Sequence, residues 1–386
     1  MSPGALQVGL VAGEASGDLL GAALIDALRE RAPQVRCVGL TGERMRAAGC
    51  ESLGDCGELA VMGLVEPIRH LPRLLRLRSR LRREFIARRI DVFIGVDSPA
   101  FNLGLARSLR VRGMRTVQYV SPQVWAWRRG RIPGIAAAVD AVLCLLPFEP
   151  DCYAGQPVRA EFVGHPLADQ IPLEPQRAAA RQRLGLPNDS LVIAVLPGSR
   201  MGEVQRLGAD FAAAAVELRR EVGPACFVAP MASSRVARIF EAQCRGAGAD
   251  IRLIERGADD ALAAADAALV ASGTASLQAL LHGCPMVVAY RLAPLTAFLV
   301  RKLRVVKLRH FSLPNLLAGE GLVPELFQEA VTPEALAAQL RNVLPEPGEL
   351  TPLRQKFAQI HHTLRRDAAA SAARVVLEVA AAGKAA

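Results

Sequence analysis

The feature that most limits the fold is a repeated order: a short apolar run, a turn rich in small residues, then a segment with helical periodicity. Gln7–Ala12 (QVGLVA) runs into Gly13, and Leu19–Arg29 follows with helical spacing. Val92–Val96 ends at Asp97, and Thr116–Val120 and Ala141–Leu146 are further apolar runs. A second series starts at Leu191–Leu196 and continues with Ala225–Ala229, Ile251–Ile254, Ala267–Ala271 and Met286–Tyr290. Near-continuous apolar strands belong to sheets covered on both faces, and strands alternating with helices form parallel sheets. The expected class is α/β, with two Rossmann-like parallel-sheet domains.

Between the two series lies VGHPLADQIPLEPQ, residues 163–176. It is rich in proline and has neither strand nor helix periodicity, so it reads as the linker. The domains are expected at 1–170 and 185–350, with 353–386 as a helical tail packing on the first. Two domains suit 386 residues at roughly 150 residues each. Two sheets joined by a linker are expected to hold a ligand cleft between them.

Charge and cysteines exclude several classes. The net charge is +10, and only four of the 47 basic residues are lysine. No glycine-rich loop ends in Gly-Lys-Ser/Thr, which argues against a P-loop kinase or ATPase. The eight cysteines are scattered, with no Cys-x-x-Cys pair and no histidine at zinc-finger spacing. They read as reduced thiols of a cytosolic chain, and no zinc site is expected. No signal peptide is visible at the N-terminus. The longest stretch without Asp, Glu, Lys or Arg, Ala267–Tyr290, is broken by Ser272, Gly273, Thr274, Ser276, Gln278, His282 and Pro285. It reads as strand, loop, helix and strand in a soluble core.

Six segments could carry chemistry. GEASGD, Gly13–Asp18, lies between a strand and a helix. Small residues there let a ligand approach the backbone at a helix N-terminus; the plainer reading is a tight turn capped by Ser16 or Asp18. LPGSRMGE, Leu196–Glu203, ends a buried strand, and Arg200 is placed to neutralise a phosphate. ASGTASLQAL, Ala271–Leu280, opens a helix at Ser272, Gly273 and Thr274, whose backbone N–H groups suit a diphosphate. Two anion-friendly turns in one half, with no Asp-x-Asp motif anywhere, point to a nucleotide sugar whose diphosphate is held by protein dipoles. No metal and no cofactor is expected.

GVDSPAFN, Gly95–Asn102, puts Asp97 just past a buried strand. Spacing alone does not separate a catalytic carboxylate from an ordinary Asp-Ser-Pro turn. YVSPQVWAWRRGR, Tyr119–Arg131, holds both tryptophans, Trp125 and Trp127. They could plug a core, the usual fate of Trp, or flank a sugar or acyl chain. Finally, nine of the 21 residues from Arg69 to Arg89 are arginine, interleaved with Leu71, Leu74, Leu75, Leu77, Leu81 and Phe85. That is a basic amphipathic helix, read as a membrane-surface element through Arg73, Arg76, Arg80, Leu74, Leu75 and Leu81. The plainer reading is a solvated arginine face over a core stripe. A second basic–apolar stretch, Arg291–Phe311, makes a lipid surface the stronger reading. Nucleic acid is disfavoured because no nucleic-acid module pattern appears.

The motifs VAGEASGD, AVMGLVEP, GVDSPAFN, YVSPQVWAWR, LPFEP, FVGHPL, LPGSR, SGTASLQ, PMVVAYRL and SLPNLLAG occur here in one order. In that combination the chain resembles the lipid-A-disaccharide synthases over nearly its whole length. The resemblance implies a GT-B fold and an inverting glycosyltransferase. The implied substrates are UDP-2,3-diacylglucosamine and 2,3-diacylglucosamine 1-phosphate, giving the disaccharide 1-phosphate and UDP. The implied location is peripheral, on the cytoplasmic face of the inner membrane. The family's functional carboxylate corresponds to Asp97, its P-G-S-R arginine to Arg200 and its L-P-N asparagine to Asn315. Gly198, Ser199, Glu203, Ser272, Gly273, Thr274 and Gln278 fall on the nucleotide side. Glu14, Ser16, Gly17, Asp18, Trp125, Trp127, Arg128 and His165 fall on the acceptor side.

Two positions depart from the family pattern: Ala100 stands where a second Asp is usual, and Gln278 where Glu is usual. In related GT-B enzymes that Glu takes the ribose hydroxyls, so weaker donor binding is expected here. A homodimer is left open. The rivals are another UDP-sugar enzyme of this fold, such as an epimerase or a soluble-acceptor transferase, and a catalytically silent membrane-surface protein.

Overall fold

A computed structural model describes residues 5–60, 67–127, 129–255, 257–293, 309–344 and 352–384. It divides into two compact units, Met1–Asp169 with Leu364–Ala386, and Gln170–Thr363. The first unit holds a seven-stranded parallel sheet. Its strands are β1 (Gln7–Ala12), β2 (Arg36–Thr41), β3 (Glu51–Asp55), β4 (Val92–Val96), β5 (Arg115–Tyr119), β6 (Ala141–Cys144) and β7 (Arg159–Phe162). The order is β3-β2-β1-β4-β5-β6-β7. The sequence therefore runs outward in one direction from β1 and in the other from β4. Where the winding reverses, the connections that leave neighbouring strands run to opposite sides of the sheet and leave a crevice for a ligand beyond the strand ends.

Both faces of this sheet are covered. Val8, Leu10, Val92 and Ile94 pack with Leu24, Ile25 and Leu28 of helix Ala15–Arg31 and with Val375 and Val376 of helix Ala368–Lys384. Val11, Phe93 and Val142 pack on the other face with Leu77, Leu81 and Phe85 of helix Pro67–Ala87 and with Leu105 and Leu109 of helix Pro99–Arg110. The segment expected as the tail, 353–386, divides between the two units. Helix Pro352–Leu364 clusters with the second unit, where Lys356 pairs with Glu320 at 3.2 Å; the chain returns to the first unit at Leu364.

The second unit holds six parallel strands: β8 (Leu191–Leu196), β9 (Ala225–Met231), β10 (Arg252–Glu255), β11 (Ala267–Ala271), β12 (Met286–Tyr290) and β13 (Glu325–Phe327). Their order is β10-β9-β8-β11-β12-β13, so the winding reverses between β8 and β11. Ile193, Val195, Leu269 and Val287 pack with Leu207, Phe211 and Leu218 of helix Met201–Val222. Asp97 follows β4 at the first reversal point. Ser199 and Arg200 follow β8, and Ser272 and Gly273 follow β11, at the second.

Candidate active site

The exits of β1 and β4 are pressed together. Ala12 is paired with Val96, and a Cβ on Gly13 would stand 1.6 Å from Ser98 Oγ, so only glycine fits there. Asp97 and Ser98 both have left-handed backbones, at φ 53° and 40°, and Val120, after the adjacent β5, sits at 76°. Positive φ in a β-branched residue is an outlier. Strain of this kind costs about 1–3 kcal/mol per residue and gathers at functional sites. The Asp97 backbone is fully engaged: its N–H donates to Tyr119 O, and its carbonyl accepts from Asn102 Nδ2 and Gln118 Nε2. Its half-buried carboxylate has no hydrogen bond or ion pair among the described residues. Glu14 and Ser16, on the neighbouring exit, are exposed, and Gly17 is buried beneath them.

Asp18 does other work. It is buried, and its carboxylate accepts from the backbone N–H groups of Gly42, Arg44 and Met45 at 2.7–3.1 Å. It caps the short helix Glu43–Ala47 and does not face an acceptor. Trp125 is half-buried: its indole N–H donates to Glu149 Oε1, and its ring meets Phe148 edge-on at 5.4 Å. Glu149 was not singled out as a site residue. It is buried, and its carboxyl accepts from the N–H groups of Leu145 and Leu146 at the exit of β6. Desolvation pushes it up to about 7, against the pull of those donors. His165 is pushed down to about 4 by burial and is neutral. Its Nδ1 accepts from Leu167 N–H, which leaves the proton on Nε2. The side chain of Trp127, and Arg128 altogether, lie outside the described residues.

The second unit offers two exits of different kinds. After β8, Gly198 turns at φ 129°, and Arg200 begins helix Met201–Val222. The Glu203 carboxylate bends back to accept from the N–H groups of Ser199 and Arg200, at 3.0 and 3.2 Å. Glu203 thus caps the helix. The Arg200 guanidinium lies 3.4 Å from Glu203, and its side chain is 71% exposed. After β11, Gly273 turns at φ 151°, and a Cβ there would meet nothing within 4 Å. Gly273 and exposed Thr274 open helix Thr274–Leu281, while Ser272 is held by hydrogen bonds to Ala289 O and Phe311 O.

Gln278 Nε2 donates to Asp259 Oδ1 at 3.3 Å, and His282 Nε2 shares the same oxygen at 3.0 Å. Asn315, expected to be catalytic, has structural partners here. It is buried, its Oδ1 accepts from Leu322 and Val323 N–H, and its Nδ2 donates to Val323 O. These bonds tie the side chain to the backbone of Leu322 and Val323. Among the described residues, no cluster of His, Cys, Asp and Glu could hold a metal ion.

The basic helix divides its apolar residues between two faces. Leu77, Leu81 and Phe85 are core, so Leu81 is not a membrane contact, and Leu74 is half-buried against them. Leu71 and Leu75 are 50% and 45% exposed, one turn apart. Arg73 and Arg80 lie 3.5 and 3.8 Å from Glu58, and Arg76 reaches back to Pro72 O. Most of the second basic stretch, 294–308, lies outside the described residues, as does 61–66 of the AVMGLVEP motif.

Two Rossmann-like units, each with its charged turn at the reversal point of its sheet, define a GT-B glycosyltransferase architecture. UDP-GlcNAc 2-epimerase from Neisseria meningitidis has the same fold, at TM-score 0.64 and 11% identity, over 97% of this chain and 99% of that one. So does MurG from Acinetobacter baumannii, at TM-score 0.55 and 12% identity, over 97% and 99%. The chain belongs to the lipid-A-disaccharide synthetase family, which it matches over residues 8–376. It is 47% identical to the lipid-A-disaccharide synthase of Xylella fastidiosa (strain 9a5c) over 97% of this chain and 98% of that one. It is also 47% identical to that of Xanthomonas campestris pv. campestris (strain 8004), over 97% and 86%. Its activity is that of the family, glycosyl transfer that forms the lipid A disaccharide.

Proposed function

We propose that the chain joins UDP-2,3-diacylglucosamine to 2,3-diacylglucosamine 1-phosphate with Asp97 as general base. The Asp97 carboxylate takes the proton of the acceptor 6-hydroxyl as that oxygen attacks the anomeric carbon, and UDP leaves from the opposite face with inversion. Arg200 swings from Glu203 to the leaving diphosphate, and the open N-terminus of helix Thr274–Leu281 adds its N–H groups and dipole. No step needs a metal, because the charge developing on the diphosphate is met by the guanidinium and the helix. The observation that carries this reading is a pair of charges at the two reversal points: after β4 a carboxylate without a partner among the described residues, and after β8 a guanidinium that is 71% exposed and paired with Glu203. His165 is the poorer base, since its Nδ1 is occupied.

UDP release by purified protein tests the proposal. Release that needs the acylated acceptor and survives a chelator supports it. Release without any acceptor points to an epimerase-like reaction, and none at all to a silent scaffold.

Exposed Leu71 and Leu75, beside Arg73 and Arg76, are the side chains that meet an anionic bilayer in this proposal. Each basic residue near such a surface is worth roughly 1 kcal/mol. The protein is expected to sediment with anionic vesicles at low salt and to come off at high salt. Leu71→Ser with Leu75→Ser is expected to weaken that binding, and unchanged binding argues for another docking face. No helix among the described residues is long and apolar enough to cross a membrane.

A further inference from the structure

Two buried amides converge on one carbonyl. Asn102 Nδ2 faces Val11 O, Val96 O and Asp97 O at 3.3, 3.3 and 2.8 Å. Gln118 Nε2 faces Asp97 O, Tyr119 O and Val120 O at 3.0, 3.3 and 3.3 Å. Every neighbour on those sides is an acceptor, so the nitrogen must point there, and the orientation of each amide is fixed by its surroundings. For both amides the shortest bond goes to Asp97.

The opposite ends of the same amides are unsatisfied. Asn102 is 0% exposed and Gln118 1%, and Asn102 Oδ1 and Gln118 Oε1 have no hydrogen-bond partner among the described residues. Gly95 makes room for the pair: a Cβ there would stand 2.6 Å from Asn102 Cβ and 3.1 Å from Gln118 Oε1. Unpaired buried acceptors weaken a fold, and an apolar pair of the same shape would avoid them. Their donors meet the carbonyls around Asp97 and Val120, two of the three left-handed residues at this exit.

We propose that Asn102 and Gln118 are positioning residues for the transferase reaction, an inference that rests on Asp97 being its base. By clamping the Asp97 carbonyl from two sides they hold its left-handed backbone, and so the direction in which its carboxylate points. Neither touches the reacting atoms. A misplacement of about 1 Å in a reacting group can cost on the order of 100-fold in rate.

The test uses the full chain. Gln118→Met keeps the length of the side chain and removes both its donors and its orphaned acceptor. Its kcat is expected to fall roughly 10- to 100-fold, with KM for the UDP-sugar and the melting temperature little changed. In an Asp97→Asn background the same substitution should lower turnover no further, because there is no base left to aim. A purely structural role would lower melting temperature and turnover together, with the same fold-loss in both backgrounds. That result, or turnover of Gln118→Met within threefold of the parent, overturns the proposal. If Gln118→Met does not fold, Asn102→Leu carries the same expectation, and if neither folds the amides are structural and the proposal fails. Near-normal turnover of Asp97→Asn by itself overturns the base assignment and this inference with it. An inactive Asp97→Asn beside a fully active Gln118→Met overturns this inference alone.

Discussion

Glu149 and Glu203 do the same job in different surroundings. Each carboxyl accepts from two consecutive backbone N–H groups at the exit of a strand: Leu145 and Leu146 after β6, and Ser199 and Arg200 after β8. Glu149 is sealed in at 4% exposure, and burial lifts its pKa to about 7. The Glu203 side chain is 21% exposed, beside a guanidinium that is 71% exposed. The first unit's exits are conformationally constrained, with three non-glycine residues held at positive φ after β4 and β5. In the second unit the cap after β8 is the more exposed one, and the neighbouring Arg200 guanidinium is open to solvent. A group that must meet a reacting atom at one angle gains from a fixed setting. A group that must grip and release a diphosphate gains from a cap that can be displaced.

Substitutions can break this contrast. The largest expected effect is on turnover of Asp97→Asn, which should fall roughly 10²–10⁴-fold, the range for loss of a general base. Steady-state rates with saturating acceptor check it, and near-normal turnover moves the base to Glu14. Arg200→Ala should weaken UDP binding roughly 10- to 100-fold, as loss of a charge-assisted phosphate contact does. Wild-type affinity would leave the diphosphate to helix Thr274–Leu281 alone.

Glu149 supplies a pH signature. Its folded pKa is raised, so the folded chain holds the proton more tightly than the unfolded chain. Its stabilising contribution is full below about 4.5 and declines as pH rises through about 7, by at most a few kcal/mol. Melting temperatures across that window should slope less in Glu149→Gln than in the parent, and an identical slope shows that Glu149 is not the titrating group. Glu203→Gln should have the smallest effect. Removing an anion from the start of helix Met201–Val222 should raise UDP affinity roughly two- to fivefold. A fall in affinity would mean that Glu203 itself holds the nucleotide.

The sequence shows most of the strands that are buried on both faces and the small-residue turns after them, because both leave composition signals. Four strands carry no such signal. β3 (ESLGD) and β7 (RAEF) are half-exposed edges with polar residues, β13 has three residues, and β2 contains the strand-weakening Gly39, whose missing Cβ lets Leu10 O approach. Side-chain roles set by distant partners were equally hidden. Asp18 meets backbone 24–27 residues further on, and Asn315 serves a loop seven and eight residues ahead. Helical spacing alone could not divide Leu71 and Leu75 from Leu77 and Leu81, because which side faces the sheet is a tertiary fact. Nothing in the composition of β5 (RTVQY) marks Gln118, and only its convergence with Asn102 on Asp97 gives it a role.

The central claim is that chemistry belongs to the first unit and nucleotide binding to the second. Titrating UDP against Asp97→Asn and Arg200→Ala by calorimetry tests it most directly. The account predicts that Asp97→Asn binds UDP within about twofold of the parent, while Arg200→Ala binds it at least tenfold more weakly. Loss of UDP binding in Asp97→Asn, with binding retained in Arg200→Ala, would contradict it.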